Sequence, residues 1–117
     1  MRASFILLLL ILCQSSAWAA LKWERLRADL SPVLNEKSVE TEFAFVNEGQ
    51  VPVTIESIKS SCGCTSAVTG KKTYAPGEKG EVRARFTIGQ RRGQQNKTVA
   101  VKIQGEPAPV VLTLAVM

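Results

Sequence analysis

A chain of 117 residues, 45% hydrophobic and 21% charged, holds enough apolar material for one small core and too little for two domains. Its net charge of +5 leaves an anionic surface open as a partner, and the complete absence of histidine excludes Ser-His-Asp and Cys-His catalysis.

The N-terminus reads as an export signal. Arg2 supplies a positive start, residues 5–12 form an unbroken apolar run, and Ala17-Trp18-Ala19 offers an A-x-A cleavage site. Gln14, Ser15 and Ser16 interrupt the run well before the roughly 20 apolar residues that a membrane span needs. Cys13 follows Leu10-Ile11-Leu12 rather than small residues, which speaks against a lipoprotein. The sequence therefore predicts a signal peptide over residues 1–19 and a single domain over residues 20–117. It also predicts no membrane span after cleavage, and a periplasmic or secreted destination.

Beyond residue 20 the dominant pattern has a period of two. Residues 21–30 supply a first strand, and a turn of helix could fit within 24–34 before Pro32 stops it. Phe43 and Phe45 alternate with Glu42, Ala44 and Val46, and Asn47-Glu48-Gly49 separates that strand from the run at 51–58. A short piece follows at 66–69 or 72–74. Pro76-Gly77 suits the centre of a type II turn and leads into Val82, Ala84, Phe86 and Ile88. Residues 89–93 connect to Val99, Val101 and Ile103, and Val110, Leu112, Leu114 and Val116 close the series. About seven half-buried strands with regular turns predict an all-β fold, an immunoglobulin-like antiparallel β-sandwich. The cysteine pair that bridges the two sheets of antibody domains is absent.

Basic residues crowd one stretch. Lys71, Lys72, Lys79, Arg83, Arg85, Arg91, Arg92, Lys97 and Lys102 face only Glu78 and Glu81 within positions 71–102. Such a segment is either a solvated, solubilising face or a docking surface for an anionic partner. With only Tyr74 and Phe86 interleaved among these bases, no nucleic-acid role is expected.

The chemistry that remains lies in Ser61-Cys62-Gly63-Cys64-Thr65. Cleavage after Ala19 would leave Cys62 and Cys64 as the chain's thiols, one residue apart, outside the reducing cytosol. On an extended backbone their side chains would share one face, and Gly63 would supply the dihedral freedom of a tight turn. Four uses compete. The pair could be structural, as small apolar side chains at a sheet end. It could form a disulfide whose tiny ring staples the unfolded chain weakly and serves better as a redox couple. Two thiolates could hold a soft ion such as Cu(I), although a structural zinc site normally takes four ligands. Either thiol could also pair with another protein. The C-x-x-C spacing of thioredoxin-like enzymes is missing, as are a paired-carboxylate site and a Gly-rich phosphate loop. No enzymatic activity and no cofactor are expected.

Several of these residues recur together in a known bacterial family. Phe43-x-Phe45-x-Asn47-x-Gly49, Pro52, Ile55, the Ser61–Thr65 block, Ala75-Pro76-Gly77-Glu78-x-Gly80, Val82, Phe86, Gly93, Asn96-Lys97-Thr98 and Val99-x-Val101 agree in order and spacing. On these residues the chain resembles the family of domain of unknown function 1573. The resemblance implies an exported immunoglobulin-like β-sandwich and brings no activity with it. The leading expectation is a non-catalytic binding or scaffold domain with a protein or anionic partner. The alternative is thiol–disulfide redox or copper handling through Cys62 and Cys64.

Overall fold

In the computed structural model, which describes residues 20–117, the period-two pattern becomes nine strands, and among those residues there is no helix. The strands are β1 (Leu21–Trp23), β2 (Arg27–Leu30), β3 (Ser38–Asn47), β4 (Val53–Ser60), β5 (Thr65–Thr69), β6 (Thr73–Tyr74), β7 (Lys79–Thr87), β8 (Gln95–Ile103) and β9 (Val110–Val116). The signal-peptide reading of residues 1–19, with Cys13, lies outside the described residues.

Two sheets form, one in the order β1-β3-β7-β5 and the other in the order β2-β9-β8-β4-β6. The first turns Phe43, Phe45, Val82, Ala84 and Phe86 inward, and the second turns Val53, Ile55, Val99, Val101, Ile103, Leu112 and Leu114 toward them. These are the residues that the alternation singles out, because each strand buries one face of its pleat. The architecture is the expected immunoglobulin-like sandwich.

The strand count exceeds seven for two local reasons. Residues 21–30 divide into β1 and β2, which join different sheets, and both candidate short pieces form, as β5 and β6. No helical turn occurs in residues 24–34. Instead β2 runs parallel to β9, with Ala28 opposite Leu114, the one parallel pairing among otherwise antiparallel ladders. Burial of Ala28 and the hydrogen bonds Thr113 N to Leu26 O (2.8 Å) and Met117 N to Leu30 O (3.0 Å) outweigh local helix propensity.

Asn47 is the polar centre of the end opposite the cysteines. Its backbone is not at positive φ. Its side chain is fully buried and donates to Val51 O (2.9 Å) and Tyr74 O (3.0 Å), while its Oδ1 accepts from Gly49 N (2.9 Å). Its backbone also accepts from Gly77 N (2.7 Å) and donates to Glu78 O (2.9 Å). One side chain thus ties the β3–β4 turn to the β6–β7 turn. Gly49 is likewise not at positive φ; a Cβ there would stand 2.9 Å from the Cβ of Ala20. The type II turn is present, with Gly77 at φ 79° and Glu78 N bonded to Ala75 O at 2.9 Å.

Asn47→Ala leaves the buried carbonyl of Tyr74 and the partly buried Val51 carbonyl and Gly49 amide without this partner, and a loss of roughly 2–4 kcal/mol in a urea melt is expected. A change below about 0.5 kcal/mol would remove Asn47 from this role. A second prediction concerns acid. The carboxylate of Glu78 takes the Lys71 ammonium and the Ala75 amide, and these contacts hold it below the usual carboxylate range. A carboxyl depressed in the folded state stabilises above its unfolded pKa and loses that effect as pH falls through its folded value. The stability gap between the wild type and Glu78→Gln should therefore hold steady above about pH 5 and narrow as pH falls below the ordinary glutamate range, read from urea midpoints.

Candidate functional site at the cystine end of the sandwich

The chain leaves one sheet at Ser60 and enters the other at Thr65, so Ser61-Cys62-Gly63-Cys64 makes the crossing. Both ladders reach into it. Ser61 N donates to Thr98 O (2.9 Å) and Ser61 Oγ accepts from Thr98 N (3.0 Å), which adds one step to the β4–β8 pairing. On the far side Thr87 N donates to Cys64 O (2.8 Å), which adds one step to β5–β7. Between these anchors Thr65 N closes a turn onto Cys62 O at 3.1 Å.

The backbone here is therefore turned rather than extended. The Cα atoms of Cys62 and Cys64 are 5.1 Å apart, against about 6.6 Å for two steps of a strand. Their sulfurs are joined as a disulfide. Both residues are half-buried, and Cys64 packs against the core cluster while Cys62 does not. Gly63 is not at positive φ, and a Cβ placed on it would meet nothing within 4 Å. The turn makes no demand for glycine there; what glycine leaves is open space beside the cystine.

The donors around the sulfurs are arranged unevenly. Cys64 N points at Cys62 Sγ (3.1 Å), whereas Cys64 Sγ has only the Thr65 hydroxyl at 3.8 Å. Because Cys64 N is diverted, the reciprocal bond of the Cys64–Thr87 pair is missing, and Arg91 Nη1 takes Thr87 O instead, at 3.3 Å. The guanidinium, which also lies 6.0 Å above the Phe86 ring, is thereby held at Thr87, the residue whose amide bonds Cys64 O. Lys97 comes one position before Thr98, the partner of Ser61, and so stands at the same end of β8 as the crossing. Among the described residues neither cation has a carboxylate within ion-pairing distance. No cluster of three or more Cys, Asp or Glu side chains suited to a metal occurs among them. Only reduction of the disulfide would free two sulfur ligands.

The basic segment does not survive folding as one patch. Arg83 pairs with Glu81 (2.8 Å) and Glu42 (3.6 Å), Arg85 with Glu40 (3.8 Å), Lys102 with Glu56 (3.7 Å), and Lys71 with Glu78. Glu40 and Glu42 come from β3, which aligns with β7 only in the sheet. A sequence window cannot reveal such partners. Of the bases left over, Arg91, Arg92 and Lys97 lie toward the cystine end, while Lys72 and Lys79 lie at the Asn47 end.

The sheet edges differ in a way that sequence reading missed. Over β3 beyond β1, Arg25 Nη2 bonds Thr41 Oγ1 (2.9 Å) and Glu42 O (3.0 Å) and covers the strand. The free part of β4 carries a bulge between Ile55 and Ser57 together with Glu56 and Lys59, and β2 presents Arg27 and Asp29. These are ordinary protections of an edge. The edge strand β5, Thr-Ser-Ala-Val-Thr, has no charge, proline or bulge, and Val68 is 61% exposed. With Thr87 N bonded to Cys64 O, alternation makes Ser66 and Val68 pair with β7 and leaves the N–H and C=O of Ala67 and Thr69 pointing outward.

The family model described as "Protein of unknown function (DUF1573)" matches residues 21–117. The chain belongs to this family. Among curated proteins none matches it. A protein of unknown function from Porphyromonas gingivalis W83 superposes with a TM-score of 0.71 at 12% identity, over 88% of this chain and 50% of that one. The secreted serine protease VesC from Vibrio cholerae gives 0.62 at 16% identity, over 83% and 22%. A PapD-like domain of human CEP192 gives 0.58 at 12% identity, over 84% of both chains. At these identities the likeness is one of fold. The chain spans about half the length of the P. gingivalis protein and about a fifth of VesC. No helix among the described residues is long and apolar enough to cross a membrane.

A ring closed across a single intervening residue constrains the unfolded chain little, by about 1.5 kcal/mol at most on the chain-entropy account. Reduction with the fold intact is therefore expected to lower the urea midpoint only slightly, with near-ultraviolet dichroism retained. Unfolding on reduction would make the pair a staple.

Proposed function

We infer that this protein is an exported, non-catalytic binding domain that takes an extended segment of a partner protein along β5. The free backbone groups of Ala67 and Thr69, on an uncharged five-residue edge, carry this reading. Strand addition needs such groups for affinity, and Val68 offers an apolar contact for specificity. The protected state of the other edges argues for recognition rather than neglect at this one. Export rests on the apolar run and A-x-A site in residues 1–19. It is in keeping with a fold neighbour, VesC, that is itself secreted.

A second reading is thiol–disulfide exchange at Cys62 and Cys64. The observation favouring it is a half-buried cystine, beside open space, with unpaired cations at hand. Soft-metal binding by the reduced pair is the weaker branch of the same reading, since two sulfurs would be its ligands.

The edge reading is tested by proline. Ala67 presents its N–H outward, so Ala67→Pro should change stability by less than about 1 kcal/mol. It should also abolish capture of cell-envelope proteins by the immobilised full chain. Val68→Pro, which removes a ladder bond to Arg83, should cost about 3 kcal/mol or more. Equal capture by wild type and Ala67→Pro would move recognition away from β5.

A further inference from the structure

We propose that the Cys62–Cys64 cystine exchanges selectively with anionic thiols, with Cys62 as the sulfur that meets the partner and Cys64 as the sulfur that leaves. The inference rests on the exchange reading above and assigns its substrate class and the role of each cysteine.

Access distinguishes the two sulfurs. Cys64 packs against the core cluster and Cys62 does not, and the space over Gly63 is empty for 4 Å around a hypothetical Cβ. A thiolate approaching from that side reaches Cys62 without moving core side chains. Hydrogen bonding gives the same order. Once the pair is reduced, Cys64 N–H, already 3.1 Å from Cys62 Sγ, is in place to stabilise a Cys62 thiolate. The amide keeps its direction because Cys64 O is fixed by Thr87 and Thr65 N by Cys62 O.

Charge selects the partner. Four segments meet at this end of the sandwich: residues 31–38, joined to β7 through Ile88 N and Lys37 O (2.8 Å), the crossing with its flanks at 59–65, residues 88–97, and the end of β9 at Val116 and Met117. Their side chains carry the charges of Lys37, Lys59, Arg91, Arg92 and Lys97 against one side-chain carboxylate, Glu36, which is engaged by Val33 N at 3.1 Å. Arg91 is the best placed of these, held on the carbonyl of Thr87, whose amide bonds Cys64 O. A thiol that also bears a carboxylate is drawn to such a site, and its mixed disulfide leaves that carboxylate among the cations.

The reaction balances without another reactant. A partner thiolate attacks Cys62 Sγ, the Cys62–Cys64 bond breaks, and Cys64 leaves as a thiolate that takes a proton from solvent. A second partner thiolate attacks the partner sulfur of the mixed disulfide and releases Cys62 as the thiolate held by Cys64 N–H. Two thiolates are oxidised to one disulfide, and the cystine gains two electrons and the one proton on Cys64, with Cys62 left as the thiolate.

The test uses the full chain with Cys13→Ser, so that only this pair reports. Reduction is followed by alkylation and intact mass with 3-mercaptopropionate, 2-mercaptoethanol and cysteamine, which are anionic, neutral and cationic, and rates are expressed per thiolate. The expected order is anion, neutral, cation, spanning about tenfold at low salt and compressed in about 0.5 M salt. Arg91→Gln combined with Lys97→Gln should flatten the order with the near-ultraviolet dichroism of the folded domain retained. In single-thiol variants, Cys62 in Cys64→Ser should form the mixed disulfide about tenfold faster than Cys64 in Cys62→Ser. Equal rates for the three thiols overturn the charge selection and leave the exchange reading standing. Faster reaction at Cys64 overturns the assignment of roles. A pair that stays oxidised in the folded protein under all three thiols overturns both the proposal and the reading beneath it.

Discussion

Between Ser60 and Thr65 the backbone must change sheets without leaving buried polar groups unpaired, and this constraint shapes the cystine end. Ser61 extends one ladder and the carbonyl of Cys64 extends the other, which leaves a single turn to close the gap. That turn rotates the Cys64 amide away from β7 and toward the sulfur of Cys62. The carbonyl it abandons on Thr87 is satisfied by Arg91. The disulfide, the amide on one sulfur and the guanidinium on the Thr87 carbonyl are consequences of one crossing.

The other end of the sandwich solves the same problem with a side chain. Asn47 sits where the β3–β4 and β6–β7 turns converge, and its amide group satisfies backbone atoms that would otherwise be buried alone. A fully buried polar residue is tolerable there because every group it carries is engaged. The two ends therefore differ in kind. One is fixed by a neutral hydrogen-bond hub inside the core, and the other by ladders that run out into a half-open, positively charged turn.

Electrostatics follow the sheet rather than the chain. Arg83 and Arg85 look like part of a basic run in sequence, yet they stand opposite Glu42 and Glu40 once β3 and β7 pair. Exposed pairs of this sort add little to stability. Their effect is to neutralise the outer face of that sheet, which leaves the unprotected β5 edge beside a surface of balanced charge.

The sequence alone determined the sandwich. Phe43, Phe45, Val82, Phe86, Val99, Val101, Leu112 and Leu114 reach the core because strict alternation allows one face inward, and Pro76-Gly77 turns where its dihedrals require. The cysteine pair was legible as the unusual chemistry of the chain, and membership of the family was legible in the residues around it. Only the tertiary structure decided what surrounds those sulfurs, which edge lies bare, and that residues 27–30 join β9 in parallel instead of coiling. Periodicity is a local property of neighbouring residues, whereas a register that brings Thr87, Arg91 and Thr98 to positions 61–64 exists only after distant strands have paired.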